Sequence, residues 1–250
     1  MATANLSGDL TTEDVSQLAR HFEPLRAEEL VAFAAEQFGG SMVLTCSWQL
    51  GTSILVHMTR EVAPQTRLVE IDTGLLFAET HETRQRLVDH YGLEVETLRP
   101  LQSVEEQADA HGARLWEREP DRCCGMRKVE PLERAIRDAD GWLTGIRRDQ
   151  TEQRARAPKL VLDARRGVVK VQPLVDWSER DCWRYIHKNG IPYNELHDRG
   201  FPSIGCTPCT RAAGSGEDAR AGRWAGSQKT ECGIHLARAP GAVANVGGDI

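Results

Sequence analysis

The sequence predicts an α/β fold: a mostly parallel sheet with helices on both faces. Two observations carry that expectation. Short apolar runs alternate with helix-periodic stretches of roughly 10–15 residues, the pattern of βαβ units. The composition is also that of an ordinary globular chain, 250 residues with 40% hydrophobic and 27% charged positions. That length suits one domain with a buried core.

The elements follow in order. Over residues 11–38, Leu30, Val31, Phe33, Ala34 and Phe38 recur at helical spacing, and Gly39-Gly40 supplies a stop. Residues 42–46 form an apolar run between glycines and a polar turn, and read as a buried strand. Residues 53–62 read as a helix ended by Pro64, 67–71 as a second strand and 79–91 as a second helix. A third strand is expected at 93–98, a helix at 129–139, and further strands at 142–146 and 168–171. A last helix spans 178–188, with Ser178 and Asp181 at capping-box-like spacing. Beyond Gly190 the chain is rich in Gly, Pro and Arg and loses periodicity. It is expected to fold over the sheet as a partly mobile segment. One domain (1–250) thus divides into N-terminal helices (1–40), an α/β core (41–190) and a C-terminal segment (191–250).

Charge and targeting signals exclude several classes. With 31 Lys+Arg against 37 Asp+Glu the net charge is −6, which argues against a general nucleic-acid binder. The N-terminus lacks the basic and apolar regions of a signal peptide, and no run approaches the roughly 20 apolar residues of a membrane span. A cytoplasmic protein with reduced thiols is expected.

The seven cysteines cannot all pair, and a chain of this size does not need disulfides to fold. Cys46 and Cys182 lie inside apolar patterns and read as core thiols. Four others form two tight pairs, Cys123-Cys124 and Cys206-Thr-Pro-Cys209. Brought together, the pairs supply four thiolates to one centre, either tetrahedral zinc or an iron–sulfur cluster. Adjacent cysteines have α-carbons only about 3.8 Å apart. Zinc ligand pairs are usually spaced more widely, which favours a cluster without deciding it. Cys232 has no partner nearby in sequence. Read from the residues alone, it is either a nucleophile close to Lys229 and His235 or an ordinary tail cysteine.

Arg147, Arg148, Arg154, Arg156, Arg220 and Arg223 fall in expected loops, where guanidinium forks suit phosphate or sulfate. A solvated charged surface is the plain alternative. The stretch from Ser47 to Ser53 follows a strand and opens a helix, so its N–H groups and hydroxyls could cradle an anion. It matches neither the P-loop nor the dinucleotide fingerprint. Asp72, Thr73 and Gly74 follow the next strand and could hold a ribose or adenine edge. Parallel sheets bind ligands beyond the carboxyl ends of their strands, which singles out 47–52, 72–74 and 147–156.

Together these residues resemble the assimilatory adenosine 5′-phosphosulfate (APS) and 3′-phosphoadenosine 5′-phosphosulfate (PAPS) reductase family. The most specific elements are Cys-Cys-Gly-Met-Arg-Lys128, Cys206-Thr-Pro-Cys209-Thr-Arg, Arg220-Ala-Gly-Arg223-Trp and Glu231-Cys-Gly-Ile-His-Leu236. The resemblance implies an adenine-nucleotide α-hydrolase type of sheet and places the chain in the cluster-bearing branch, which uses APS. A PAPS or dual-specificity reductase is the alternative. It implies that Cys123, Cys124, Cys206 and Cys209 hold one [4Fe-4S] cluster per subunit, with an electrostatic or structural role. Lys128 would lie between cluster and substrate, and Arg220 and Arg223 would clamp the sulfate with help from Arg147 or Arg154. Ser47 would face the phosphosulfate, and Asp72, Thr73 and Gly74 the nucleoside. Cys232 would attack the sulfur of APS to give S-sulfocysteine and AMP, and thioredoxin or glutaredoxin would release sulfite for cysteine biosynthesis. Trp48 and Leu50 stand where many members carry small or charged residues. A homo-oligomer is left open, and neither nucleic acid nor membrane is an expected partner.

Overall fold

Six strands form one sheet in the order β3-β2-β1-β4-β6-β5. The computed structural model describes residues 11–227 and 229–235. The strands are β1 (Met42–Cys46), β2 (Arg67–Ile71), β3 (Val95–Leu98), β4 (Gly141–Leu143), β5 (Leu160–Asp163) and β6 (Val168–Val171). The pairs β1–β2, β2–β3, β1–β4 and β4–β6 are parallel, and β5 runs antiparallel to β6. The mostly parallel sheet expected from the alternating pattern is therefore present. β5, with only Leu160 fully buried, is an addition to the strands that the sequence predicts.

Alternation along the strands assigns their faces. Met42, Leu44, Leu68, Leu143, Val169 and Val171 point into the larger core. With them pack helices α1 (Thr12–Phe22), α2 (Ala27–Phe38), α3 (Leu50–Val62), α4 (Ala78–Tyr91) and α9 (Glu179–Asn189). Val43, Val69, Trp142 and Val168 point the other way, against Leu132, Ala135 and Ile136 at and just beyond α8 (Glu130–Ala135). Helices thus cover both faces unequally.

Local chemistry explains most element ends. The helix expected over 11–38 is two helices, because Pro24 cannot continue the hydrogen-bond ladder and the chain turns between Phe22 and Ala27. Thr11 caps α1 with a reciprocal Asp14 contact, and Ser178 caps α9 in the same way with Asp181. Gly190, at φ +61°, closes α9 in the left-handed region. The expected helix at 129–139 is shorter, and is preceded by a widened turn over Gly125–Val129. Three short helices lie between β3 and that turn: α5 (Val104–His111), α6 (Leu115–Arg118) and α7 (Pro120–Cys124).

The described part of the C-terminal segment lies back over the strand ends. Ile204 N–H donates to Gln49 Oε1 (2.9 Å), Thr207 N–H to the Leu75 carbonyl (2.8 Å), and Leu76 and Cys206 form an antiparallel bridge. Residues 236–250, to which the expectation of mobility also extended, lie outside the described residues. Among the described residues no helix is long and apolar enough to cross a membrane.

Candidate active site

The order 3-2-1-4 places a crossover between β1 and β4, and a cleft opens where their following loops part. The two loops touch at Gly51 and Gly145. A Cβ on Gly51 would stand 2.7 Å from the Gly145 carbonyl oxygen, so only glycine fits this crossing. The cleft, of about 220 Å³, is lined by Ser47–Thr52 after β1, Thr73 after β2, Thr144–Arg147 after β4 and Ser203–Gly205 from the C-terminal segment. Lys128, Arg154, Arg220, Arg223, Glu231, Cys232 and His235 complete its wall. The structure therefore brings Ser47, Thr73, Lys128, Arg147, Arg154, Arg220, Arg223 and Cys232 to one place.

Asp72 and Gly74 do not join them. Gly74 N–H donates to Asp72 Oδ1 (2.9 Å), and Arg99 Nε donates to Asp72 Oδ2 (3.2 Å). They shape the turn that presents Thr73. Ser47 is held by Thr52, whose hydroxyl accepts from Ser47 N–H (3.2 Å) and lies 3.0 Å from Ser47 Oγ. Trp48 adopts φ +55° and turns its indole inward, where Nε1 donates to Glu70 Oε2 (2.7 Å). The buried Glu70 also accepts from Arg84 Nε (2.7 Å) and Thr97 Oγ1 (2.6 Å). Trp48 thus braces the cleft-lining loop from below, which accounts for an aromatic side chain at that position.

Arg147 and Arg223 are buried, Arg154 and Arg220 half-buried, and all four are partly satisfied within the protein. Arg147 Nε donates to Asp149 Oδ1 (2.9 Å). Arg154 donates to Gln150 Oε1 (2.5 Å) and Glu231 Oε2 (2.7 Å). Arg220 donates to Ser203 Oγ (3.3 Å), the Thr230 carbonyl (2.8 Å) and Glu231 Oε2 (3.3 Å). Arg223 donates to Ser203 Oγ (3.3 Å) and the Ile204 carbonyl (3.2 Å), and lies 4.5 Å over the Trp224 ring. The Nε atoms of Arg154, Arg220 and Arg223 are buried without a partner. Concentrated cations with spare donors suit a multiply charged, oxygen-rich anion.

Cys123, Cys124, Cys206 and Cys209 line a second, smaller pocket beside the first, with Leu75, Trp116, Arg127, Lys128 and Trp224. The Thr73 hydroxyl lies 3.3 Å from Cys206 Sγ. Burial pushes the thiol of Cys124 up to about 12 and that of Cys209 up to about 11, and raises Cys123. Thiols so placed become good ligands only when a metal centre displaces their protons. Among the described residues no three His, Cys, Asp or Glu side chains converge tightly enough to grip a single metal ion. Four thiols lining one pocket are a donor set that fits an iron–sulfur cluster.

Lys128 lines both pockets. Burial, the largest influence, pulls its ammonium down, but the neighbouring Cys206, Cys232 and Cys124 more than offset that, and it is raised overall. Its neighbour Arg127 is buried and structural: Nε donates to the Thr73 carbonyl (2.7 Å) and a terminal nitrogen to Gln107 Oε1 (3.0 Å). His235 stacks on Trp142 (5.6 Å, 14°), and burial amid Lys170, Arg154, Arg220 and Arg166 keeps it well below the ordinary histidine value. Sequence reasoning missed His197, a cleft residue drawn down to about 4 by burial, and the role of Glu231 beside the cysteine. Nothing in the local sequence marks His197. Glu231 is legible as part of the Glu231-Cys-Gly-Ile-His element, but its partners Arg154 and Arg220 are set by the fold.

A mostly parallel sheet with a cation-lined cleft at its crossover, bordered by a cysteine-bearing segment, defines an α/β protein built to receive an anionic ligand. Residues 41–212 match the phosphoadenosine phosphosulfate reductase domain. Adenosine 5′-phosphosulfate reductase 1 of Bacillus subtilis is 44% identical over 210 residues, covering 84% of this chain and 90% of the relative. The crystal structure of phosphoadenylyl-sulfate (PAPS) reductase from Candida auris superposes with TM-score 0.72 at 29% identity, covering 82% of this chain and 100% of that one. FMN adenylyltransferase of Candida glabrata shares the fold more distantly (TM-score 0.54, 14% identity, 84% of this chain and 70% of that one). The chain belongs to the phosphoadenosine phosphosulfate reductase family.

Proposed function

We propose that this protein is an adenylyl-sulfate reductase, converting APS to sulfite and AMP in assimilatory sulfate reduction leading to cysteine. The observation that carries the reading is that Cys232 shares one cleft with the loops after β1, β2 and β4 and with Lys128, Arg147, Arg154, Arg220 and Arg223. The similarity to curated reductases of APS supports the choice of substrate.

The chemistry follows from charge. The sulfur of APS is electrophilic, but its oxygens repel a thiolate. The arginines and Lys128 offset that repulsion and neutralise the phosphate of the departing AMP. The Cys232 sulfur bonds to the sulfur of the sulfonate as the bond to the phosphate oxygen breaks, giving S-sulfocysteine and AMP. A dithiol reductant of the thioredoxin or glutaredoxin type then attacks the Cys232 sulfur. Sulfite leaves, and the second thiol resolves the mixed disulfide, so the reductant ends as a disulfide. Cys123, Cys124, Cys206 and Cys209 would hold a [4Fe-4S] cluster. When bound, it supplies a compact charged centre beside Lys128 and a tie between α7 and the 206–209 turn. All seven cysteines are free, which fits the reducing cytoplasm as the site of action.

The test is incubation of anaerobic, cluster-loaded protein with APS, followed by intact-mass analysis. A sulfonate adduct that maps to Cys232 and is absent from Cys232→Ser is the expected result. No adduct would overturn the reading, and a large rate preference for PAPS in steady state would move the substrate to the 3′-phosphorylated nucleotide.

A further inference from the structure

Glu231 is the only acid in the segment that carries Cys232 among the described residues 229–235, and it is 6% exposed. A lone carboxylate in a cleft built for anions would oppose the ligand, so its partners matter. Its Oε2 accepts from Arg154 (2.7 Å) and from Arg220 (3.3 Å), and Thr151 Oγ1 lies 3.5 Å from Oε1. Arg154 belongs to the loop after β4, and Arg220 to the C-terminal segment. One carboxylate thus joins two banks of the cleft, at the residue immediately before the thiol. After Cys232 the chain turns at Gly233 (φ +87°), and His235 is pinned by its stack on Trp142. Cys232 is therefore suspended between two anchored neighbours. On the far side of Glu231, Arg220 also holds the Thr230 carbonyl (2.8 Å), and Lys229 pairs with Asp121 of α7.

We infer that Glu231 is a positioning residue that docks the Cys232 segment onto the Arg154–Arg220 pair. The same contact ties up one terminal nitrogen of each guanidinium. The docked carboxylate therefore sets the place of the thiol while tempering the hold of these arginines on a ligand anion. Removing the charge has opposite effects on the two tasks. The freed guanidiniums grip an anion as well as before or better, and the thiol loses its aim. A displacement of about 1 Å at a reacting atom is enough to cost on the order of 100-fold in rate. This inference rests on the reading of Cys232 as the nucleophile, but docking itself is measurable without substrate.

The experiment compares wild type, Glu231→Gln and Glu231→Asp as full-length, cluster-loaded protein under anaerobic conditions. Three quantities are read: alkylation of Cys232 by iodoacetamide without nucleotide, the affinity for AMP, and single-turnover formation of the Cys232 adduct from APS. In Glu231→Gln, alkylation is expected to rise about tenfold as the segment undocks. AMP binding should be unchanged or tighter, and adduct formation should fall about 100-fold. Glu231→Asp, with the charge but a shorter reach, should lie between the two on all three. Alkylation at the wild-type rate, or parallel losses in AMP affinity and adduct formation, would overturn the inference, since general damage to the cleft weakens both. If wild type itself forms no adduct with APS, the reductase reading fails while the alkylation arm still decides docking.

Discussion

Lys170 shows what burial among like charges does to one side chain. It lies on β6, is buried, and its ammonium stands 5.0 Å from the centre of the Trp142 ring. Burial first, then the charges of Arg154 and Arg166, bring it down to about 8 from the ordinary 10.5, although Asp163 and Glu231 act the other way. The folded chain therefore holds this proton less tightly than the unfolded chain. The penalty is complete below about pH 8 and disappears as pH rises to 10.5, so this residue's contribution to stability improves across that window. The shift corresponds to about 3 kcal/mol, less about 1 for the cation–π contact. Lys170→Met should therefore be more stable than wild type at pH 7 by roughly 2 kcal/mol in urea unfolding, and its advantage should shrink steadily between pH 8 and 10. A difference that stays constant with pH would exclude this origin. At this scale the sequence disclosed most where residue type and spacing stand out by themselves, as with the paired cysteines and the loop arginines that line two adjoining pockets. It disclosed least where the fold creates the role. Lys170, His197 and Glu231 are ordinary residues until burial and partners define them, and Asp72 turned out to shape a turn that presents its neighbour.

At the scale of elements, the cleft depends on two loops passing at van der Waals distance. The Gly51–Gly145 crossing joins the start of α3 to the end of β4, and the close atoms are backbone, which cannot rotate aside. Gly51→Ala is expected to cost about 1–3 kcal/mol in chemical denaturation and to weaken AMP binding, because α3 must shift along with the Ser47 loop. Gly40→Ala, where an added Cβ meets nothing within 4 Å, should change neither and serves as the control. The expected strands at 42–46, 67–71 and 168–171 coincide with β1, β2 and β6, because each concentrates buried aliphatic residues: Val43 and Leu44, Leu68 and Val69, and Val168, Val169 and Val171. β5 escaped notice because it is an edge strand, with only Leu160 fully buried. The short helices α5, α6 and α7 were equally silent. Helices this brief are held by caps and tertiary contacts, such as Ser103 on Glu106, and show too few turns for a period.

Across the whole molecule, the C-terminal segment is held in a different way from the core. Ile204, Cys206 and Trp224 are its only buried apolar residues between Gly200 and Ser227. The rest of its attachment to the core is polar: Ile204 N–H to Gln49 Oε1, Thr207 N–H to the Leu75 carbonyl, and the backbone bridge between Leu76 and Cys206. A region with so few apolar contacts opens at a small fraction of the global unfolding free energy. Ligation by four cysteines, two on α7 and two in this segment, would add what the missing core does not, since centre binding to the folded arrangement alone counts directly as stability. Cys209, the least buried of the four, is the position to test. Cys209→Ser should lose iron and its visible absorbance. Trypsin should then cut first at Arg211, Arg220, Arg223 and Lys229, while the 11–190 region stays resistant, and the melting temperature should fall. An iron-free Cys209→Ser protein with the tryptic pattern of the loaded wild type would show that the segment is docked by its hydrogen bonds and ion pairs alone.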